Sequence, residues 1–263
     1  MMNEIQTYLE EDGLLHCAVC KEPVEAFYPK GSFLEMRKHH RQCACERQAY
    51  AEEVKYYKEK EHQERVVRNK KICFEEKEME DFIFQNVDRD SGAIRIAKEY
   101  VANWQKMKKN HMGYLFWGPV GTGKSYLAAC IANALLEQEV TVKMTNFNTI
   151  LNDLFAAEDK TEYVRLLNVY ELLIIDDLGV ERNSEYALEN IFSVIDWRYR
   201  SGKPLIITTN LPLAQLKQEI KIEKKRIYDR ILERCIPVKI DGVSKRETMV
   251  NDNMQTMKNI LKI

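Results

Sequence analysis

Eight consecutive residues carry the clearest chemical signal in this sequence. They are Gly118, Pro119, Val120, Gly121, Thr122, Gly123, Lys124 and Ser125, and they match the pattern G-x-x-x-x-G-K-[ST] in full. The glycines permit positive φ angles, so successive backbone N–H groups can point inward and bind an anion. Lys124 can then reach the β- and γ-phosphates of a nucleotide, and the Ser125 hydroxyl can be a ligand of Mg²⁺.

The residues on either side of this loop predict the structure that a phosphate loop requires. An apolar run at 114–117 precedes it, and apolar residues follow it at helical spacing to about Gln138. Strand, loop and helix in this order direct the loop N–H groups and the helix N-terminus at one anion. We therefore expect the loop, with Tyr126 just beyond it, to bind the phosphates of a nucleotide, which the family resemblance described below implies is ATP. A glycine-rich turn with a chance lysine is the alternative.

Two further apolar runs end in side chains that suit nucleotide hydrolysis. The run 172–175 ends in Asp176 and Asp177, and the run 205–209 ends in Asn210. Continuous apolar runs are typical of buried parallel strands, and open α/β sheets bind ligands at the carboxyl ends of their strands. We expect Asp176 to hold Mg²⁺, Asp177 to orient or deprotonate the attacking water, and Asn210 to position that water. A turn role is the alternative for Asn210.

Four of the seven cysteines form two close pairs near the N-terminus. They are Cys17 and Cys20, then Cys43 and Cys45. Two such pairs are typical of a structural zinc site, in which each pair supplies two thiolates. His39 and His40 lie beside the second pair, so a histidine can replace one thiolate. This segment has few large apolar residues, and we expect it to need Zn²⁺ to fold. Unrelated buried thiols are the alternative.

A charged segment follows the cysteines. Residues 46–71 contain neither Gly nor Pro, which predicts a solvated helix or linker. The stretch 30–71 has an excess of Lys and Arg over Glu, with Tyr50, Tyr56 and Tyr57 among them. Basic residues interleaved with aromatics can follow a nucleic-acid backbone and stack on bases. A merely solvated helix is the more usual interpretation of such a pattern.

The composition limits the classes of protein. The chain has 263 residues, 45% of them hydrophobic, which suffices for a core domain with a small appended one. The net charge is −1, so any binding to nucleic acid must come from a local patch. No apolar run is long enough to span a bilayer, and the first residues lack the pattern of a signal peptide. We expect a cytoplasmic protein with no membrane partner and with reduced cysteines.

The order of these motifs resembles that of an AAA+ ATPase. GPVGTGKS, LLIIDDLG and LIITTN carry this resemblance. SEYALENIFSVIDWRYRSGKPLIITTNL, followed by RIYDRILERC, is similar to helicase loaders of the DnaC/DnaI type and to transposase helper ATPases of the IstB type. The resemblance covers about residues 80–245, and the cysteine pairs ahead of it are similar to the zinc-binding region of several such loaders.

The resemblance implies an α/β fold with a five-stranded parallel sheet between helices. The implied strands lie near 114–117, 140–144, 172–175, 205–209 and 237–240. Ahead of this P-loop NTPase fold we expect a small zinc-binding domain. We therefore expect two domains: the zinc-binding domain with a helical linker at 1–75, and the ATPase domain at 76–263.

The resemblance also implies roles for single residues. Asp176 and Asp177 would form the Walker B motif, and Asn210 would be sensor 1. Arg230, in YDRI, falls where the family has its arginine finger, and Arg246, in SKR, falls at sensor 2. Two further arginines, Arg226 and Arg234, share a predicted helix face with Arg230, so spacing alone does not choose among the three. An Asp follows Asp176 where many ATPases have Glu, which predicts slow turnover.

The function implied by the resemblance is ATP-dependent loading of the replicative DNA helicase. The zinc domain would then grip a hexameric helicase, and the ATPase domain would bind single-stranded DNA and assemble into a homo-oligomer with ATP. A transposition helper ATPase acting on duplex DNA is the closest alternative, and the cysteine-bearing region favours the loader. A small-molecule P-loop kinase would need substrate-binding residues on a lid and has no use for an arginine finger.

Overall fold

The computed structural model describes residues 6–86, 92–179 and 184–242, together with residues 254, 257, 258, 260 and 261. The chain divides into two units, Met1–Glu64 and Arg65–Ile263. The division lies inside helix α1 (Ala44–Cys73), which corresponds to the solvated helix expected from the charged segment. Val66 and Cys73 are its buried residues. In the described part of the chain, no helix has the length and apolar character needed to cross a membrane.

The N-terminal unit contains two short antiparallel hairpins. Strand β1 (Thr7–Leu9) pairs with β2 (Leu15–Cys17), and β3 (Glu25–Phe27) pairs with β4 (Lys38–His40). The buried residues of this unit's core are Cys17, Val24 and Cys43, packed against the partly buried Leu15, Cys20 and Cys45. Cysteines thus make up most of a very small core.

The second unit alternates strands and helices, the pattern of a parallel α/β sheet. Two short 3₁₀ helices, Lys77–Asp81 and Phe84–Asn86, lead into it. The strands are β5 (Gly113–Trp117), β6 (Val142–Asn146), β7 (Leu172–Leu178), β8 (Leu205–Thr209) and β9 (Cys235–Lys239). The helices are α2 (Gly92–Ala102), α3 (Trp104–Lys109), α4 (Lys124–Leu136), α5 (Phe147–Ala156), α6 (Lys160–Leu167), α7 (Glu185–Ser201), α8 (Leu213–Lys217) and α9 (Ile222–Arg234). The strand order is β6-β7-β8-β5-β9 with every pairing parallel, which confirms the predicted five-stranded sheet.

The sheet separates two apolar cores. Tyr114 and Phe116 of β5 belong to the core shared with α2 and α4, whereas Leu115 belongs to the core shared with α5, α7 and α9. Successive residues of a strand point to opposite faces, so a sheet covered on both faces needs continuously apolar strands. Because the strands are parallel, the carboxyl ends of β5, β7 and β8 meet at one edge, where the candidate residues lie.

Some element boundaries differ from those that the sequence predicts. Apolar residues at three- and four-residue steps, Ile94, Ala97, Val101 and Trp104, predict one helix from about residue 91 to 108. The structure instead has α2 and α3, separated at Asn103. The Asn103 Nδ2 donates to the Glu99 carbonyl oxygen at 3.0 Å, and such side-chain bonds compete with the helical backbone. Strand β6 begins at Val142 rather than at Val140, because the Val140 N–H bonds back to Leu135 O at 3.0 Å and closes α4.

Candidate nucleotide site and cysteine cluster

The phosphate-loop residues lie between β5 and α4, as predicted. Gly118, Gly121 and Gly123 have φ angles of 148°, 80° and 93°. A Cβ atom on Gly118 would lie 2.3 Å from the Ile240 carbonyl oxygen, so a larger residue would clash with the backbone just after β9. Gly123 is the N-cap of α4, and its left-handed conformation turns the chain from the loop into the helix.

The Lys124 ammonium is held at this loop. Its side chain is nearly buried, and its Nζ donates to the carbonyl oxygens of Gly118 at 3.0 Å and Pro119 at 2.7 Å. The Thr122 hydroxyl also donates to Pro119 O, at 2.9 Å, whereas Val120 is exposed. A cation at the N-terminus of α4, where the helix dipole is also positive, gives the loop a strong preference for an anion.

Tyr126 connects the loop helix to the segment before α2. Its ring stacks on Phe82 with 4.6 Å between the centroids, and its hydroxyl donates to Ile83 O at 3.3 Å. Asn133 of α4 donates to Met79 O at 2.8 Å and to Phe82 O at 3.0 Å. Residues 79–83 are thereby fastened to α4. The structure gives Tyr126 a packing role, and its role in binding nucleotide stays a prediction.

The two carboxylates of β7 lie opposite a single residue of β8. The register between these strands shifts between Ile175 and Leu178, so Asp176 and Asp177 both face Thr208, as in a β-bulge. Asp177 has a φ of 56°, in the left-handed region that Asp tolerates better than most residues. Bulges are frequent beside active sites because they redirect side chains.

Hydrogen bonds join these carboxylates to β8. Thr208 Oγ1 donates to Asp176 Oδ1 at 2.5 Å and accepts from the Asp177 N–H at 2.9 Å. Asn210 Nδ2 donates to Asp177 Oδ1 at 3.3 Å. The structure thus brings Asp176, Asp177 and Asn210 together. Sequence reasoning missed Thr208, although a threonine within the otherwise apolar run 205–209 was a visible signal.

The environment of Asp176 fits a divalent cation. Burial raises the pKa of Asp176 above its ordinary value, and hydrogen bonds from the Thr208 and Ser125 hydroxyls oppose this rise. The negative charge of Asp177 raises the pKa further, whereas Lys124 lowers it. The Ser125 bond brings the end of the phosphate loop to the end of β7. Hydroxyl and carboxylate oxygens are the ligands that Mg²⁺ prefers, and its charge would offset the two neighbouring carboxylates.

A cleft of about 230 Å³ opens beside the two carboxylates of β7. Glu75, Thr145 and Asn146 line it with them. The Glu75 carboxylate accepts hydrogen bonds from the hydroxyls of Thr145 at 2.8 Å and Thr149 at 3.0 Å, so β6 and α5 fix its position. Nothing in the sequence around Glu75 marks it as part of this cleft.

Arg230 lies on α9 and contacts α7. Its Nη2 is 2.6 Å from Asp196 Oδ1, and its guanidinium lies 4.5 Å from the centroid of the Phe192 ring and 5.7 Å from that of Tyr199. The other two arginines of this face are Arg226, at 4.4 Å from the Phe192 ring, and Arg234, at 4.6 Å from the Tyr199 ring. The contacts of Arg230 are therefore with the α7–α9 pair rather than with the phosphate loop. Arg246, the candidate for sensor 2, lies outside the described residues.

The four N-terminal cysteines come together as one cluster. The Sγ atoms of Cys17, Cys20, Cys43 and Cys45 all lie within 4.8 Å of one another. A tetrahedral zinc site with Zn–S bonds of about 2.3 Å requires sulfur separations of about 3.8 Å, so the cluster fits one ion. Hydrogen bonds from the backbone of Glu22 and Cys45 lower the pKa of Cys20 to about 6, whereas the hydrogen bond with Cys20 and burial raise the pKa of Cys45 to about 12.

The two histidines beside the cluster have other contacts. The His39 ring packs on Tyr28 with 4.9 Å between centroids, and His40 Nε2 is 3.2 Å from Glu46 Oε1. Among the described residues, the group that can hold a metal consists of the four cysteines alone. The geometry therefore favours four thiolates over a histidine replacement.

The sheet, the phosphate loop and the carboxylates of β7 define the fold of an AAA+ P-loop NTPase. The crystal structure of DnaI is similar to this chain, with a TM-score of 0.58 and 26% identity, over 67% of this chain and 98% of that one. The model of the family described as IstB-like ATP binding protein matches residues 42–252. The chain belongs to this family.

Two curated relatives extend the comparison. The replicative helicase loader DnaC of Escherichia coli (strain K12) is 29% identical over 144 residues, which are 53% of this chain and 56% of DnaC. The chain thus spans little more than half the length of DnaC. The replicative helicase loader DnaI of Bacillus subtilis (strain 168) is 21% identical over 271 residues, which cover 93% of this chain and 82% of DnaI.

Proposed function

We propose that this protein is an ATP-dependent loader of a replicative DNA helicase, acting in the cytoplasm. The observation that carries the proposal is the extent of the similarity to the loader DnaI, which covers 93% of this chain. A match of that extent takes in the cysteine-bearing unit as well as the ATPase fold. A similarity limited to the ATPase fold would not favour a loader over other members of the family.

The phosphate loop, β7 and β8 form the ATP site in this proposal. Lys124 faces the β- and γ-phosphates, and the loop N–H groups with the N-terminus of α4 bind the phosphate oxygens. Ser125 and Asp176 hold Mg²⁺, which supplies positive charge to the phosphates. The 2.7 Å and 3.0 Å bonds of Lys124 to loop carbonyls show that its ammonium already lies at the loop.

Hydrolysis in this proposal depends on Asp177 and Asn210. Asp177 orients the attacking water and accepts its proton, while the 3.3 Å bond from Asn210 fixes the rotamer of that carboxylate. Asp is one methylene shorter than Glu, so turnover is slow and regulatory. In an ATP-dependent homo-oligomer, Arg230 of a neighbouring subunit stabilises the charge that develops on the γ-phosphate.

The two domains predicted from the sequence have separate tasks in the proposed loader. The zinc-binding domain and linker, residues 1–75, contact the hexameric helicase, with Zn²⁺ on the four clustered cysteines. The ATPase domain, residues 76–263, binds single-stranded DNA when ATP has assembled the oligomer. ATP binding and hydrolysis then control when the helicase is loaded and when it is released.

A transposition helper ATPase is the second candidate. It is favoured by the family description, IstB-like ATP binding protein, which covers residues 42–252. Such a protein would bind duplex rather than single-stranded DNA and would activate a transposase.

The test compares the two partners directly. Full-length protein is mixed with the replicative helicase or with a transposase from the same genome, with and without ATP, and complexes are separated by size. Helicase loading is then measured as unwinding of an oligonucleotide annealed to a single-stranded DNA circle that is coated with single-strand-binding protein. Lys124→Ala is the control. ATP-dependent loading supports the first proposal. Binding to a transposase and duplex DNA without any effect on the helicase would refute it in favour of the second.

A further inference from the structure

Thr208 is the residue of β8 that faces both carboxylates of the β7 bulge. Its side chain is fully buried, and its hydroxyl makes two bonds at once. It donates to the side chain of Asp176 at 2.5 Å and accepts from the backbone N–H of Asp177 at 2.9 Å. A hydroxyl has one donor hydrogen and two acceptor lone pairs, so Thr208 acts here as a donor and as an acceptor at the same time.

The bulge explains why such a residue is needed. An extra residue in a bulged strand loses its regular ladder partner, and here the Thr208 hydroxyl supplies a partner for the Asp177 N–H. Asp177 also has a φ of 56°, a conformation that persists only where surrounding bonds hold it. The Asp176 carboxylate, which is partly buried, accepts a hydrogen bond from the same hydroxyl. One side chain therefore holds both the carboxylate of Asp176 and the backbone from which the Asp177 carboxylate projects.

We propose that Thr208 is a positioning residue of the magnesium–nucleotide site, which aims Asp176 at Mg²⁺ and Asp177 at the attacking water. The inference rests on the proposed binding of ATP and Mg²⁺. Two residues at the end of β8 would then position Asp177. Asn210, just after the strand, bonds to the Asp177 side chain, and Thr208 bonds to the Asp177 backbone.

The adjacent residue provides a matched control. The Thr209 hydroxyl is also fully buried, donates to Leu178 O at 2.7 Å and accepts from the Leu211 N–H at 3.1 Å. Each threonine thus makes one donor and one acceptor bond, but only the bonds of Thr208 involve the two carboxylate residues. A loss of fold stability alone should affect both substitutions, whereas a positioning role belongs to Thr208.

The experiment compares Thr208→Val, Thr208→Ala and Thr208→Ser with Thr209→Val in the full chain. ATP affinity is titrated in EDTA and again at increasing Mg²⁺, hydrolysis is measured over the same Mg²⁺ range, and thermal unfolding is recorded. For Thr208→Val and Thr208→Ala we expect ATP affinity in EDTA within about twofold of wild type. The Mg²⁺ concentration that gives half-maximal hydrolysis should rise about tenfold or more, since Asp176 loses a hydrogen bond to its charged carboxylate. Thr208→Ser should restore the wild-type Mg²⁺ dependence to within about threefold, because it keeps the hydroxyl.

The outcomes separate this inference from the proposed function. Wild-type protein that binds no ATP would overturn both. Wild-type protein with normal Mg²⁺-dependent binding, together with an unchanged Mg²⁺ dependence in Thr208→Ala and Thr208→Val, would overturn the positioning role alone. An equal rise in Thr209→Val would also overturn it, because the effect would then belong to buried hydroxyls of β8 in general. If Thr208→Val does not fold, the Ser and Ala variants, which differ by one oxygen atom, decide the question.

Discussion

Replacement of Arg230 with Ala tests whether this side chain acts on a neighbouring subunit or only holds α9 against α7. The structure gives Arg230 a definite partner within its own chain, since its Nη2 lies 2.6 Å from Asp196 Oδ1. Arg230→Ala removes both this ion pair and any action on a neighbour. Asp196→Asn removes the ion pair and leaves the arginine in place. The two variants together therefore separate the structural role from the catalytic one.

The stability change can be estimated from the burial of the pair. The side chain of Arg230 is 23% exposed and that of Asp196 is 12% exposed, which places the pair between the exposed and the buried case. Exposed pairs contribute about 0–1 kcal/mol, and breaking a buried pair costs about 3–5 kcal/mol. Asp196 keeps a second partner, because Arg200 Nε lies 2.8 Å from its Oδ2. We therefore expect Arg230→Ala to lose about 1–2 kcal/mol, or about 2–8 °C in Tm.

The assay measures ATP binding, ATP hydrolysis and mixing of variants. If Arg230 acts across the subunit interface, Arg230→Ala should bind ATP normally but hydrolyse it about 10³-fold more slowly. Asp196→Asn should show a comparable fall in Tm with most of the hydrolysis retained. Arg230→Ala mixed with Lys124→Ala should recover part of the activity, because an intact site on one subunit then meets an intact arginine on the next.

The opposite pattern would refute this reasoning. If Asp196→Asn lowers hydrolysis as much as Arg230→Ala, the ion pair itself is what activity requires. If no mixing ratio restores activity in protein shown to assemble, Arg230 works within its own subunit or only stabilises the α7–α9 contact.

Four further predictions concern the remaining parts of the candidate site. Lys124→Ala should abolish ATP binding and leave the protein folded, because it removes the cation that faces the phosphates; retained binding in a fluorescence titration would contradict this. Asp177→Asn should bind ATP but not hydrolyse it, since Asn also tolerates the φ of 56°, and wild-type rates would remove Asp177 from the mechanism. Purified protein should contain one equivalent of zinc, and Cys20→Ser should unfold the N-terminal unit while ATP binding persists; less than about a tenth of an equivalent in protein never exposed to chelator would indicate ordinary thiols. Binding to single-stranded DNA should be weak and should fall with salt, because the net charge is only −1, and a flat dependence on salt would argue against a phosphate-tracking groove.

The elements that carry the site could be predicted from the sequence because their signals are local. The glycine pattern of the phosphate loop and the apolar runs before Asp176 and Asn210 specify strands and turns within a few residues. The cysteine spacing likewise predicts a cluster, and the structure places the four Sγ atoms within 4.8 Å of one another. The contact between Arg230 and Asp196 could not be predicted in this way, since it depends on how α9 packs on α7.

A buried arginine joins the starts of β7 and β8, at the opposite end of these strands from the β7 bulge. Arg198 of α7 is 1% exposed, and its guanidinium donates to the carbonyl oxygens of Tyr170 and Glu171, both at 2.9 Å, and of Pro204, at 3.1 and 2.6 Å. These carbonyls lie just before β7 and β8, so one buried cation fixes where the two strands begin relative to each other. The two strands are in regular register from Leu173 to Ile175, and the extra residue of β7 lies beyond this stretch, at the carboxylate end. The sequence shows Arg198 only as one more charge in a polar helix. The contacts of Arg198, like the bonds of Thr208 to Asp176 and Asp177, depend on how distant segments pack together, which is why the sequence pattern alone did not indicate them.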